Sequence, residues 1–78
     1  MRANFQGYSI AQAIEELYRR EINFSISCFW DGGIDVRLGD NINGWKAHIN
    51  LEPSEMKLAG DWMLEKAVTY WPEEWDGE

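Results

Sequence analysis

Seventy-eight residues carrying a formal net charge of −7, with a pI of ≈ 4.5, describe one small acidic domain. A chain this short buries only ~60% of its unfolded surface, which excludes a second core. The negative field excludes polyanions as natural partners and favours basic surfaces, while the lone Cys28 excludes an intramolecular disulfide and a cysteine-based zinc site.

The charge is unevenly placed. Residues 1–51 hold six acids against five bases, whereas residues 52–78 hold eight acids against two. Five Trp, three Phe and three Tyr make 14% of the chain. Each buried ring removes roughly 150–250 Å² from water, so aromatic residues suit a core of limited volume. The opening MRANFQGYSI has no charged region leading into a long apolar stretch. No apolar run approaches the ~20 residues needed to span a bilayer. A soluble cytoplasmic protein, without membrane contact, is expected.

Ser9 followed by Gln12 has the form of a capping box, and Ile10, Ala13, Ile14 and Leu17 then fall on one face at helical spacing. A helix is predicted over 9–20, with Glu15–Arg19 and Glu16–Arg20 as i,i+4 pairs. INFSISCFW alternates, with Ile22, Phe24, Ile26, Cys28 and Trp30 on one side, which predicts a strand over 22–30. The DGG that follows is a strong hairpin signal. Ile34, Val36 and Leu38 mark a second strand at 33–39. The turn GDNING leads into a third at 44–51, where Trp45, Ala47, Ile49 and Leu51 share the apolar face.

A second helix is predicted over 54–71, with Ser54 as N-cap and Met56, Ala59, Met63, Ala67 and Tyr70 facing inward. Pro72 stops it, because a proline disfavours helix in the residue before it. An acidic tail occupies 72–78. The predicted class is α+β: a three-stranded antiparallel sheet with two helices packed on one face, in the order α-β-β-β-α.

The same order occurs in double-stranded RNA-binding domains, but those contact phosphates with basic residues. Here Lys57 and Lys66 are outnumbered by Glu55, Asp61 and Glu65, so direct nucleic-acid binding is not expected. Catalysis lacks its parts as well. Cys28 and His48 are the sole thiol and imidazole, and the strand pattern sets them on opposite sheet faces. Asp31, Asp35, Asp40 and Asn43 lack the spacing of a calcium loop and read as turn residues. No enzyme activity, metal or cofactor is expected.

Surface recognition remains. Leu58 and Trp62 point away from the inward arc of the second helix, beside Asp61 and Glu65. An exposed Trp on an acidic face has the character of an interface anchor. In the tail TYWPEEWDGE, a packed Trp75 would hold Glu73, Glu74 and Asp76 at fixed positions, saving the ordering entropy that a loose acidic tail loses on binding. The open sheet face, with Ser25, Ser27, Asp35, Arg37, Lys46 and His48, is polar and nearly neutral.

The stretch ISCFWDGGIDVRLGDNINGWKAHINL, followed by a Trp-rich helix, resembles small acidic proteins of phage and prophage origin, and among them type I-C anti-CRISPR proteins. The resemblance covers residues 9–71 and rests mostly on turn and core residues. It implies inhibition of the surveillance complex Cascade, by a DNA mimic that occupies the basic channel of the repeated backbone subunit and blocks target DNA. The partner-binding set expected from the chain's charges is Asp61, Glu65, Glu73, Glu74 and Asp76, with Glu55 and Glu52 assisting and Trp62 as apolar anchor. A monomer is expected. The alternative is an acidic regulatory or antitoxin-like module that caps a basic protein unrelated to CRISPR, or a homodimer joined through a sheet edge or Trp62.

Overall fold

The structure, a computed structural model, describes residues 5–75. Its elements are a helix α1 (Ile10–Arg19), strands β1 (Phe24–Phe29), β2 (Gly33–Asp40) and β3 (Gly44–Leu51), and a helix α2 (Ala59–Tyr70). A 3₁₀ turn at Pro53–Leu58 precedes α2 and another at Pro72–Trp75 follows it. The sheet is antiparallel with order β1-β2-β3, so the α+β class and the α-β-β-β-α order both hold.

Helix α1 starts as its sequence dictates. Gln12 N–H donates to Ser9 Oγ (3.1 Å) and Ser9 N–H to Gln12 Oε1 (2.8 Å), satisfying two of the donors a helix start leaves open. It ends in a Schellman motif. Ile22 N–H donates to Leu17 O (3.0 Å) and Glu21 N–H to Tyr18 O (3.1 Å), with Glu21 in the left-handed region at φ 59. Ile22 is thereby drawn back onto Leu17, both of them buried, and belongs to the helix end rather than to the strand predicted to begin there. Ile14, assigned to the apolar stripe, stays at the surface.

The buried centre comprises Ala13 and Leu17 of α1, Ile34, Val36 and Leu38 of β2, and Met63, Leu64, Ala67 and Val68 of α2. Strand β2 is central, so its inward row is covered completely. Phe24 and Ile26 on the β1 edge are only half-buried, and Cys28 is exposed. Trp30, expected to extend this row, sits in the turn after β1 and is 95% exposed. Gly60 lets α2 approach the start of α1, because a Cβ there would lie 2.2 Å from Tyr8 O and 2.5 Å from Ser9 O.

Two further expectations are corrected. The segment predicted as the first turns of the second helix is 3₁₀, with Pro53 as its first residue and Glu52, not Ser54, as its N-cap. Met56 is consequently exposed rather than inward-facing, and Tyr70 in the last turn of α2, also expected inward, is exposed as well. The second correction concerns Trp45. Leu38 pairs with Ala47 but Gly39 pairs with Trp45, so Lys46 is left without an opposite residue in a β-bulge. The extra residue reverses the alternation and turns Trp45 onto the open face. Gly39 makes this possible: its φ is 119, and a Cβ would lie 2.4 Å from Gly44 O.

Candidate partner-binding surface

The tail is anchored. Trp71 N–H donates to Ala67 O (2.8 Å), closing α2, and Glu74 N–H donates to Trp71 O (3.0 Å), closing the 3₁₀ turn. That turn swings Trp75 into the core, where it is 4% exposed. Its ring lies 6.0 Å from that of Phe5, and the Arg20 guanidinium stacks over it at 3.7 Å. The indole N–H finds no acceptor among the described residues, so packing and the cation hold the ring.

Arg20 is itself fixed. Its Nη1 donates to Glu16 O (3.2 Å) and to the Glu16 carboxylate, which Arg19 also reaches at 2.6 Å. The bond from Arg20, then that from Arg19, holds the Glu16 carboxyl below its usual range. Glu16, Arg20 and Trp75 form a clasp between the end of α1 and the tail. Glu73 and Glu74 are left exposed on a short, ordered turn, with no ion pair among the described residues.

The remaining expected contacts are placed differently. Asp61 is only half-exposed, and its carboxylate accepts from Gly7 N–H (2.9 Å) and Tyr8 N–H (2.8 Å), tying the N-terminal segment to α2. Trp62 is half-buried and packs on the core. Glu65 is also half-buried, and its backbone carbonyl accepts from the Thr69 hydroxyl (2.9 Å). The Glu55 carboxylate accepts from Glu52 N–H (3.0 Å), while both residues stay exposed. Asp76 lies outside the described residues. The fully exposed acids of the set are therefore Glu73, Glu74, Glu52 and Glu55, and Glu65 is half-buried.

The open sheet face is organised around Asp35. Its Oδ1 lies 2.5 Å from His48 Nε2 and its Oδ2 accepts from Arg37 Nε (2.9 Å). The His48 bond, then that from Arg37, lowers the Asp35 carboxyl below its ordinary value. The Arg37 guanidinium reaches to 5.8 Å from the Trp45 ring, and Trp45 Nε1–H donates to Asn41 Oδ1 (3.0 Å). This face thus answers its own charge.

Asp40 closes the second hairpin, accepting from Asn43 N–H (2.6 Å), Ile42 N–H (2.9 Å) and Asn23 Nδ2 (2.8 Å). Led by the Asn43 backbone bond, these contacts lower its carboxyl to about 2. Cys28, opposite Ile34, and His48, opposite Arg37, occupy different faces of the sheet. Among the described residues no cluster of three His, Cys, Asp or Glu could hold a metal ion, and no helix is long and apolar enough to cross a membrane. A shallow, mostly apolar groove of ≈ 930 Å³ runs between Gly7–Ala11 and Pro53–Leu58.

Two participants were missed from sequence. Arg20 was legible as a helix ion pair but not as the cation over Trp75, a contact spanning 55 positions of the chain. Trp45 was assigned to the wrong face, although the glycines at 39 and 44 flanking the turn were a signal for a bulge. Comparison with protein-family models, curated proteins and solved structures finds no match to this chain.

Proposed function

We propose that the protein is an anti-CRISPR inhibitor that binds the basic DNA-binding channel of a type I-C Cascade complex and blocks target DNA. The observation that carries this reading is the burial of Trp75, which holds Glu73 and Glu74 outward at set positions. Carboxylates fixed in this way imitate successive phosphates, and they meet lysine and arginine without first losing the conformational freedom of a loose tail. Glu52 and Glu55 are exposed beside the start of α2 and Glu65 is half-buried along it, while Asp76 follows directly in the chain. Asp61 contributes by holding the frame, since its oxygens already accept two backbone N–H groups. Trp62 supports the same helix face from the edge of the core.

The test is target-DNA binding by purified type I-C Cascade with and without excess protein. Inhibition that weakens with salt is the expected result, because attraction between exposed charges is screened over ~8–10 Å at physiological ionic strength. Equal DNA binding in both arms defeats the proposal. Affinity capture that returns a different basic protein, and no Cascade subunit, favours the regulatory or antitoxin-like alternative.

A further inference from the structure

We infer that the edge of β1, which has no strand paired to it among the described residues, pairs with the β1 edge of a second copy, joining two sheets into one of six strands. The two outer strands differ in what they offer. Strand β3 carries Lys46 in a bulge and His48, features that blunt an edge against pairing. Strand β1 reads FSISCF: no charge, no proline, and an unbroken register from Phe24↔Leu38 to Phe29↔Gly33. In a chain of net charge −7, it is an edge that a second acidic molecule can approach without facing a carboxylate in the ladder.

The backbone specifies how the copies fit. Gly39 N–H donates to Asn23 O (2.8 Å), which makes Asn23 a bonded partner of β2. Alternate residues of an antiparallel strand direct both backbone groups the same way, so Ser25 and Ser27 also bond β2. Phe24, Ile26 and Cys28 turn their N–H and C=O groups outward. Antiparallel pairing of these three with a second copy is symmetric about Ile26: Phe24 faces Cys28, Ile26 faces Ile26, and every outward group in the strand gains a partner.

The same residues are those whose side chains the monomer leaves half-covered or exposed on the helix side, while their neighbours Ile34, Val36 and Leu38 are buried. In the pair they form a continuous apolar row, with Ser25 against Ser27 on the open face. Glu21 and Asp31 flank the strand at corresponding ends, so like charges gather at each end of the seam.

Sedimentation across a wide concentration range reads the association. The expected result is a monomer–dimer equilibrium that tightens as salt rises, the reverse of the salt response expected for Cascade binding, so each reading can fail alone. Ile26→Lys sets two like charges on the two-fold axis and is expected to raise the dissociation constant about tenfold.

A second variant, Ile26→Cys with Cys28→Ser, does not depend on tolerance of that lysine. Directly opposed residues lie about 5.5 Å apart at Cα, within disulfide reach, so mild oxidation is expected to give a covalent dimer. Unaltered chains are expected to stay uncrosslinked under the same oxidant, since this register separates the two Cys28 residues by roughly 14 Å. A chain that remains monomeric at every concentration overturns the inference. So does a dimer indifferent to Ile26→Lys, or crosslinking through Cys28 as ready as through position 26.

Discussion

The open sheet face and the C-terminal turn both carry acids beside a tryptophan, and they use them in opposite ways. On the sheet, Asp35 is bonded to His48 and Arg37, and Trp45 lies exposed over the same strands. At the tail, Trp75 is buried, and Glu73 and Glu74 project from it without an ion pair among the described residues. The charges of the first region are answered inside the molecule; those of the second are displayed. Acidic composition therefore does not measure acidic surface. A carboxylate already accepting hydrogen bonds loses them if it turns toward a partner, whereas one held away from the fold by its neighbour loses only water.

Removing the anchor should break this contrast most severely. Trp75→Ala deletes a buried ring packed between Phe5 and Arg20. It is expected to cost about 3–5 kcal/mol in urea denaturation. Any binding that depends on Glu73 and Glu74 should fall in this variant although both acids remain. Affinity equal to that of the unaltered protein, measured where the variant is folded, would show that the tail need not be ordered.

Asp61→Ala tests an acid that was expected at the interface and is engaged at home. Leaving Gly7 N–H and Tyr8 N–H without their acceptor is expected to cost about 1–3 kcal/mol. Amide exchange at those two positions should accelerate. A stable variant with weakened partner binding would instead return Asp61 to the contact set.

Acid titration tests three of the engaged carboxyls, whose shifts share one sign. Glu16, Asp35 and Asp40 all have folded values below their unfolded ones, so each contributes stability that is fully present above the unfolded value and lost as pH falls through the folded one. For Asp40 that window runs from its ordinary value of 3.8 down to about 2. Stability should decline as pH falls through this window, and Asp40→Asn should make the decline shallower. An unaltered acid limb in that variant would remove Asp40 from the account.

The smallest effect on stability belongs to the displayed acids. Glu73→Gln with Glu74→Gln should change unfolding free energy by no more than about 0.5 kcal/mol, as for surface residues without partners. The same pair should weaken capture of a basic partner and flatten its salt dependence. A loss of stability without loss of binding would reverse the roles assigned to the two regions.

Much of the fold was readable because its signals are local. The Ser9–Gln12 box, the alternation of Ile34, Val36 and Leu38, the turn glycines and the stop at Pro72 each act within a few residues. The errors share another origin. Trp45 changed faces because a single bulge residue reverses a period of two, and nothing in WKAHINL reports that Lys46 lacks an opposite. Trp30 left its row because the hairpin turned one residue earlier than the alternation suggested. The expected contact set was read from charge, and charge does not say which carboxylates have already found donors.

The chain by itself determined an acidic α+β domain in the order α-β-β-β-α, since helix caps, strand periodicity and turn chemistry are written in neighbouring residues. Only the tertiary structure decided which tryptophan is buried and which acids stay displayed. Those outcomes rest on Phe5, Arg20 and Trp75 meeting across the chain, and on Gly7 and Tyr8 meeting Asp61. Packing between distant segments selects them, and no local pattern encodes that meeting.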